Sequence, residues 1–252
     1  MTISWGSLFL LALKMLKMAK SLKVILAAGS ATAYAWLFSW EVAFVLMWAI
    51  GIHEMGHVYG MRRCGIPTKG FYFVPFLGGA AIGEAARTEW DDVYVTAMGP
   101  TWGLISSLPF IFMWQVTGEV KWAGYSTLIL LINLINLLPI MPLDGGRLTK
   151  SLVSSGGSTA LWIYLFLLCT AGFWFMWVNG LYLFLGLSII GALEVVAEAR
   201  RSKSERRPAL SSLEWAVTAS WFIILAAVLY GIILAFQSVE GAGLVAKVLK
   251  ST

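Results

Sequence analysis

Charge is scarce in this chain. Only 12% of its 252 residues are Asp, Glu, Lys or Arg, against 59% hydrophobic residues, thirteen tryptophans and a mean hydropathy of +0.80. A soluble domain carries about 25% charged residues, so the balance excludes an ordinary soluble globular protein and points to the bilayer. Cysteine is nearly absent too: Cys64 and Cys169 cannot build a disulfide framework or a thiolate zinc site and read as ordinary thiols. Histidine occurs twice, as His53 and His57. No internal repeat or low-complexity tract is visible. No Lys or Arg precedes the apolar run Leu8–Leu13, so the start does not read as a signal peptide.

What is present is a series of apolar stretches. The candidate spans are Leu22–Phe38, Glu41–Met61, Val93–Thr117, Trp122–Ile140, Thr159–Val178, Leu181–Glu198 and Glu214–Gln237. They predict an all-α polytopic membrane protein of six to seven helices. Residues 1–21 read as an interfacial or re-entrant amphipathic segment, with Lys14, Lys17 and Lys20 on one stripe. Residues 22–198 form the membrane domain with its core at 41–150, residues 199–213 a basic connector, and residues 214–252 a last helix and tail. With the N-terminus in the cytoplasm, only Lys121, Lys247 and Lys250 of the eighteen Lys and Arg fall on the far side. That bias fixes the orientation and accounts for the net charge of +5 without invoking nucleic acid.

Both histidines lie in one word, His53-Glu54-Met55-Gly56-His57, inside the second candidate span. Positions i and i+4 share a helix face, so the two imidazoles reach one metal ion. Glu54 points roughly 100° away, within reach of a water held there. Ionisable groups in such a helix are costly and mark function. The charge bias puts His53 in the cytoplasmic half, about eight residues or ~12 Å from the end of the span.

Two histidines do not hold a catalytic zinc; a third protein ligand is needed. Asp144 is the candidate, in Asn136-Leu137-Leu138-Pro139-Ile140-Met141-Pro142-Leu143-Asp144-Gly145-Gly146-Arg147, on the same side of the membrane. Two prolines break the helix there and two glycines permit close backbone approach. Alone, Asp144 reads equally well as a helix N-cap, and Asn136 as a hydrogen bond between helices. Between spans two and three, Ile66–Ala86 is too short of apolar length to cross. Alternation over Phe71–Pro75 and a turn at Leu77-Gly78-Gly79-Ala80 predict a β-hairpin or re-entrant loop beside the metal helix. Phe73, Val74 and Gly79 lie on that hairpin, whose free edge could pair with an extended segment by strand addition. Gly-x-x-x-Gly spacing at Gly56–Gly60 and Gly99–Gly103 predicts close packing of spans two and three.

The pairing of His53–His57 with Asn136–Gly145 resembles the signature of the site-2 protease family of intramembrane zinc metalloproteases, peptidase family M50, in a compact form. The signature is His-Glu-x-x-His in one span and Asn-x-x-Pro-x-x-x-x-Asp-Gly near a later one, and the resemblance runs from about span two through Lys150. It implies one Zn²⁺ held by His53, His57 and Asp144, Glu54 as general base, and Asn136 against the substrate. Gly99-Pro100 also matches the family, but Gly103 stands where many members have Asn. No stretch is long enough for an inserted PDZ domain, and the tail after Gln237 is too short for a CBS domain.

The expected activity is hydrolysis of peptide bonds inside the membrane span of a single-span protein, near the cytoplasmic face of a bacterial inner membrane, with regulation by a membrane partner. Two rival readings stand beside it. One is a membrane zinc protease with a Glu third ligand, Glu194 or Glu198. The other is a non-enzymatic metal-binding membrane protein, which would need further ligands along a pore.

Overall fold

Helix α2, Trp40–Arg63, carries the paired histidines and has a sharp start and stop. The Ser39 hydroxyl accepts from the Val42 amide at 3.2 Å. Glu41 sits in the first turn and Arg62 and Arg63 in the last, each matching the helix dipole. Helix α1, Leu22–Leu37, precedes it. The computed structural model describes residues 22–76, 78–156, 159–178, 189, 191–193, 196–197 and 207–237.

After α2 the chain forms β1, Thr68–Val74, and β2, Gly78–Gly83, paired antiparallel with Phe73 opposite Gly79 and Tyr72 opposite Ala80. The hairpin is where the sequence puts it, but the turn is not. Pro75 and Phe76 make the bend, with Phe76 at φ 64°, and Gly78 to Ala80 already belong to β2. The Phe73 ring packs at Gly51 and Met61 packs at Gly83, so the hairpin lies along α2 over some three turns.

Helix α3, Glu89–Thr117, is capped by Thr88, whose hydroxyl accepts from the Asp91 amide at 3.0 Å, and closed by Gly118 at φ 68°. It meets α2 through the expected small residues. A methyl group at Gly56 would collide with the Met98 carbonyl, and one at Gly60 would stand 2.8 Å from the Val95 Cα. Helix α4, Val120–Asn136, stops four residues before the expected Ile140, because Pro139 cannot continue it. The Tyr125 hydroxyl ties α4 to α2 by donating to Glu41 at 2.5 Å.

A tight loop then leads into α5, Asp144–Gly156, followed by α6, Thr159–Val178. Side chains at Gly145 or Gly146 would collide with the Leu137 carbonyl and with Ile140, so both glycines are required for the loop to fold onto the start of α5. Helix α7, Ser212–Gln237, packs Leu225, Leu229 and Ile233 against Leu130, Leu137 and Leu148 of α4, the loop and α5. The described residues are thus mostly helical with one small hairpin. Among them α2, α3 and α7 are long and apolar enough to cross a membrane. The sixth candidate span and residues 1–21 lie largely or wholly outside the described residues, as do Glu194 and Glu198.

Candidate metal centre

His53 and His57 lie one turn apart on α2 with rings 4.8 Å between centroids, both buried. Each ring is held by its Nδ1. His57 Nδ1 donates to the Val95 carbonyl of α3 at 2.9 Å. His53 Nδ1 donates to Asn133 Oδ1 of α4 at 2.9 Å, and Asn133 Nδ2 donates to the Ile129 carbonyl, which fixes the amide's orientation. With a proton on each Nδ1, both neutral rings present an Nε2 lone pair.

Those lone pairs converge on a carboxylate. His53 Nε2 is 3.0 Å and His57 Nε2 3.4 Å from Asp144 Oδ2, and the two nitrogens are 3.1 Å apart. Three acceptors this close repel one another unless a cation sits among them. Asp144 Oδ2 is buried and receives no hydrogen bond among the described residues. Tetrahedral zinc with bonds of 2.0–2.1 Å places its ligand atoms about 3.3 Å apart, which matches all three separations. The donor set fits Zn²⁺, and His53, His57 and Asp144 are the one such cluster found among the described residues.

The cluster opens into a cleft of about 360 Å³ lined by Glu54, Val74, Gly79, Ala80, Asn136 and Arg147 among others. Glu54 is buried beside it. Gly79 matters here for space: a methyl group on it would collide with the Glu54 Cγ, so β2 lies directly over that side chain because this position is glycine. Of the residues expected to bind substrate, the structure brings Val74, Gly79 and Asn136 to the cleft. Phe73 is turned instead onto Gly51, away from the metal cluster. Asn136 Nδ2 donates to the Ile132 carbonyl of its own helix at 3.1 Å.

Charge braces the start of α5 against α3. Arg147, in the first turn of α5 after Asp144, pairs with the buried Asp92 of α3 at 2.7 Å. Arg207 pairs with the other oxygen of Asp92 at 3.0 Å, and Ser151 donates to Glu89 at 2.6 Å. Cys64 is no thiolate: burial and the neighbouring Asp91 push its thiol up to about 11.

Sequence reading missed Asn133, Val95 and Asp92. Asn133 had a trace, since an Asn in an apolar helix needs a partner and Gly103 departs from the family pattern. The structure joins the two facts: a side chain at Gly103 would run into the Asn133 amide. Val95 contributes a backbone carbonyl, which leaves no signature in residue type.

Residues 41–129 match the sequence model of peptidase family M50. The zinc metalloprotease MJ0392 of Methanocaldococcus jannaschii is 26% identical over 122 residues, 46% of this chain and 35% of that protein. Rip3 of Mycobacterium tuberculosis, named as a candidate zinc metalloprotease, is 29% identical over 158 residues, 59% of this chain and 40% of its own. The chain therefore spans well under half the length of these curated relatives. No solved structure matches it significantly. The segment that is similar to peptidase family M50 holds the His-Glu-x-x-His word and the α3 carbonyl that orients His57.

Proposed function

We propose that the protein is an intramembrane zinc endopeptidase that cuts a single-span membrane protein within its span, near the cytoplasmic face. The observation that carries this reading is the triangle of His53, His57 and Asp144 acceptor atoms with both Nδ1 protons pinned elsewhere, opening beside Glu54. His53, His57 and Asp144 hold one zinc ion. When bound there, zinc supplies Lewis acidity and makes hydroxide available near neutral pH. The Glu54 carboxylate takes the proton of the attacking water and delivers it to the leaving amide nitrogen. Val95 and Asn133 hold the imidazole protons away from the cluster throughout.

A helical substrate must unwind before its amide reaches Glu54, and unpaired backbone groups cost several kcal/mol each in lipid. Strand addition to the hairpin offsets that cost. The strand presented to the cleft is β2, through Gly79, Ala80 and Ala81, with Val74 beside them and Asn136 across the cleft. We assign the chain six to seven spans, with the protease domain at 22–198 and a basic cytoplasmic connector at 199–213. The N-terminus and the cleft face the cytoplasm of a bacterial cell whose inner membrane holds the protein. A membrane partner regulates it; nucleic acid has no part.

Purified protein should hold about one zinc per chain. His53→Ala, His57→Ala and Asp144→Ala should each lose most of it. Glu54→Gln should keep the zinc while cleavage of a single-span substrate panel falls 10²-fold or more. Full zinc in Asp144→Ala, or near-normal turnover in Glu54→Gln, would refute the assignment.

A further inference from the structure

A second cavity, larger than the metal cleft, lies among the described residues. A groove of about 570 Å³ runs between α1, α2, α3 and β1. Its α2 wall is Met55, Val58, Tyr59 and Arg62, a stripe at about 140–240° around the helix from His53 when successive residues turn by about 100°. The metal ligands at 0° and about 40° lie outside that stripe, and His53, Glu54 and His57 are not among the residues that line the groove. Tyr59 and Trp102 meet along it with tilted rings, their centroids 5.3 Å apart.

One end of the groove is cationic. Lys23, in the first turn of α1, and Arg62, in the last turn of α2, both line it. These antiparallel helix ends meet at the face that the charge bias places in the cytoplasm. Lys23 Nζ is held there, donating to the Lys69 carbonyl at 2.7 Å and lying 4.6 Å from the Tyr72 ring centroid. Among the described residues no Asp or Glu lines the groove. From Arg62 to Met55 the apolar wall runs seven residues, about 10 Å along the helix. A fixed positive mouth leading to an apolar slot of that depth is complementary to an amphiphile with one anionic end. Basic pockets between membrane helices on the cytoplasmic side take anionic lipid headgroups in this way.

We propose that the groove binds one anionic phospholipid, its phosphate at Lys23 and Arg62 and an acyl chain along Met55, Tyr59 and Trp102. The occupant wedges β1 against α2 and α1, on the side of the hairpin remote from the cleft. This rests on the chain being a membrane protein, and not on the protease reading.

The test uses the full chain in neutral detergent, with phosphatidylglycerol and phosphatidylcholine of identical acyl chains as probes. Phosphatidylglycerol at about ten times its dissociation constant should raise Tm by roughly 3–6 °C over phosphatidylcholine. Native mass spectrometry should retain one such lipid per chain. Arg62→Gln should weaken the shift, and Lys23→Gln with Arg62→Gln should abolish it. Ala27→Phe, which fills the apolar slot and leaves both cations in place, should also abolish it. Glycerol 3-phosphate, which has the charge without the chains, should give no shift. Equal shifts from the two lipids, or a phosphatidylglycerol shift that survives both the double variant and Ala27→Phe, would overturn the proposal. So would a photocrosslinker at Tyr59 that captures the substrate peptide in place of lipid.

Discussion

Replacing Asn133 with Leu separates two accounts of the same hydrogen bond. Asn133 is wholly buried on α4, and its Oδ1 accepts the His53 Nδ1 proton at 2.9 Å. If the amide merely glues α4 to α2, its loss costs about 0.6 kcal/mol, the average for such bonds between membrane helices, or about threefold in any coupled equilibrium. If it fixes the tautomer, the cost is larger. The Nδ1–H left unpaired in an apolar site costs roughly 1–3 kcal/mol, and the proton gains a route to Nε2, where it competes with metal. Loss of an outer partner of a ligating histidine typically weakens metal binding by about 10–100-fold, or 1.4–2.7 kcal/mol. The two estimates coincide, so Asn133→Leu should weaken zinc affinity at least tenfold in a chelator competition, with Glu54 untouched. Gly103→Ala approaches the same bond from the other side, because the new methyl collides with the Asn133 amide. The double variant should then be little worse than Asn133→Leu alone. Zinc affinity within threefold of the parent in Asn133→Leu would refute the tautomer argument.

Two further outcomes are expected. Asp92→Asn strips Arg147 and Arg207 of their shared counter-charge. Because Arg147 is 35% exposed, we expect about 2–3 kcal/mol of destabilisation, below the 3–5 typical when a fully buried pair is broken. Faster amide exchange at the start of α5 should accompany it, and unchanged exchange over 144–150 would show that the pair does not hold Asp144. Proline at Ala80 or Ala81, made singly, removes a hairpin hydrogen bond in one case and an outward-facing donor in the other, since N–H groups alternate along a strand. One of the two should slow cleavage with Tm unchanged. If both lower Tm, or neither changes the rate, the substrate does not pair with β2.

How far the site could be read from sequence depends on what kind of chemistry each part uses. His53, His57 and Asp144 were legible because metal binding needs particular side chains, and the i, i+4 repeat is fixed by helix geometry. A helix over the apolar run Thr159–Val178 was legible, since an apolar run bounded by polar residues needs no tertiary information. The end of α4 was not, because hydropathy continues through Leu137 and Leu138 while the backbone obeys Pro139. The parts that set proton positions were hidden for a different reason. They come from a carbonyl at Val95 and from an amide 80 positions away from His53, and no local period connects them.

Gly78 and Gly79 show how a correct residue can carry a misleading meaning. Paired glycines beside a Pro suggest a turn, because glycine accepts positive φ. Gly78 does take φ 100°, yet it stands in β2 opposite Val74, and the bend lies earlier at Pro75 and Phe76. Gly79 needs no unusual backbone angle; it needs to lack a Cβ, because Glu54 occupies that volume. The two demands are chemically distinct and identical in the sequence. They also respond differently to substitution. Alanine at 79 leaves the strand conformation available but must displace either β2 or the Glu54 carboxylate, so it should impair proton transfer while zinc content is retained. A glycine serving only the turn would show the reverse, a loss of hairpin stability with the chemistry intact.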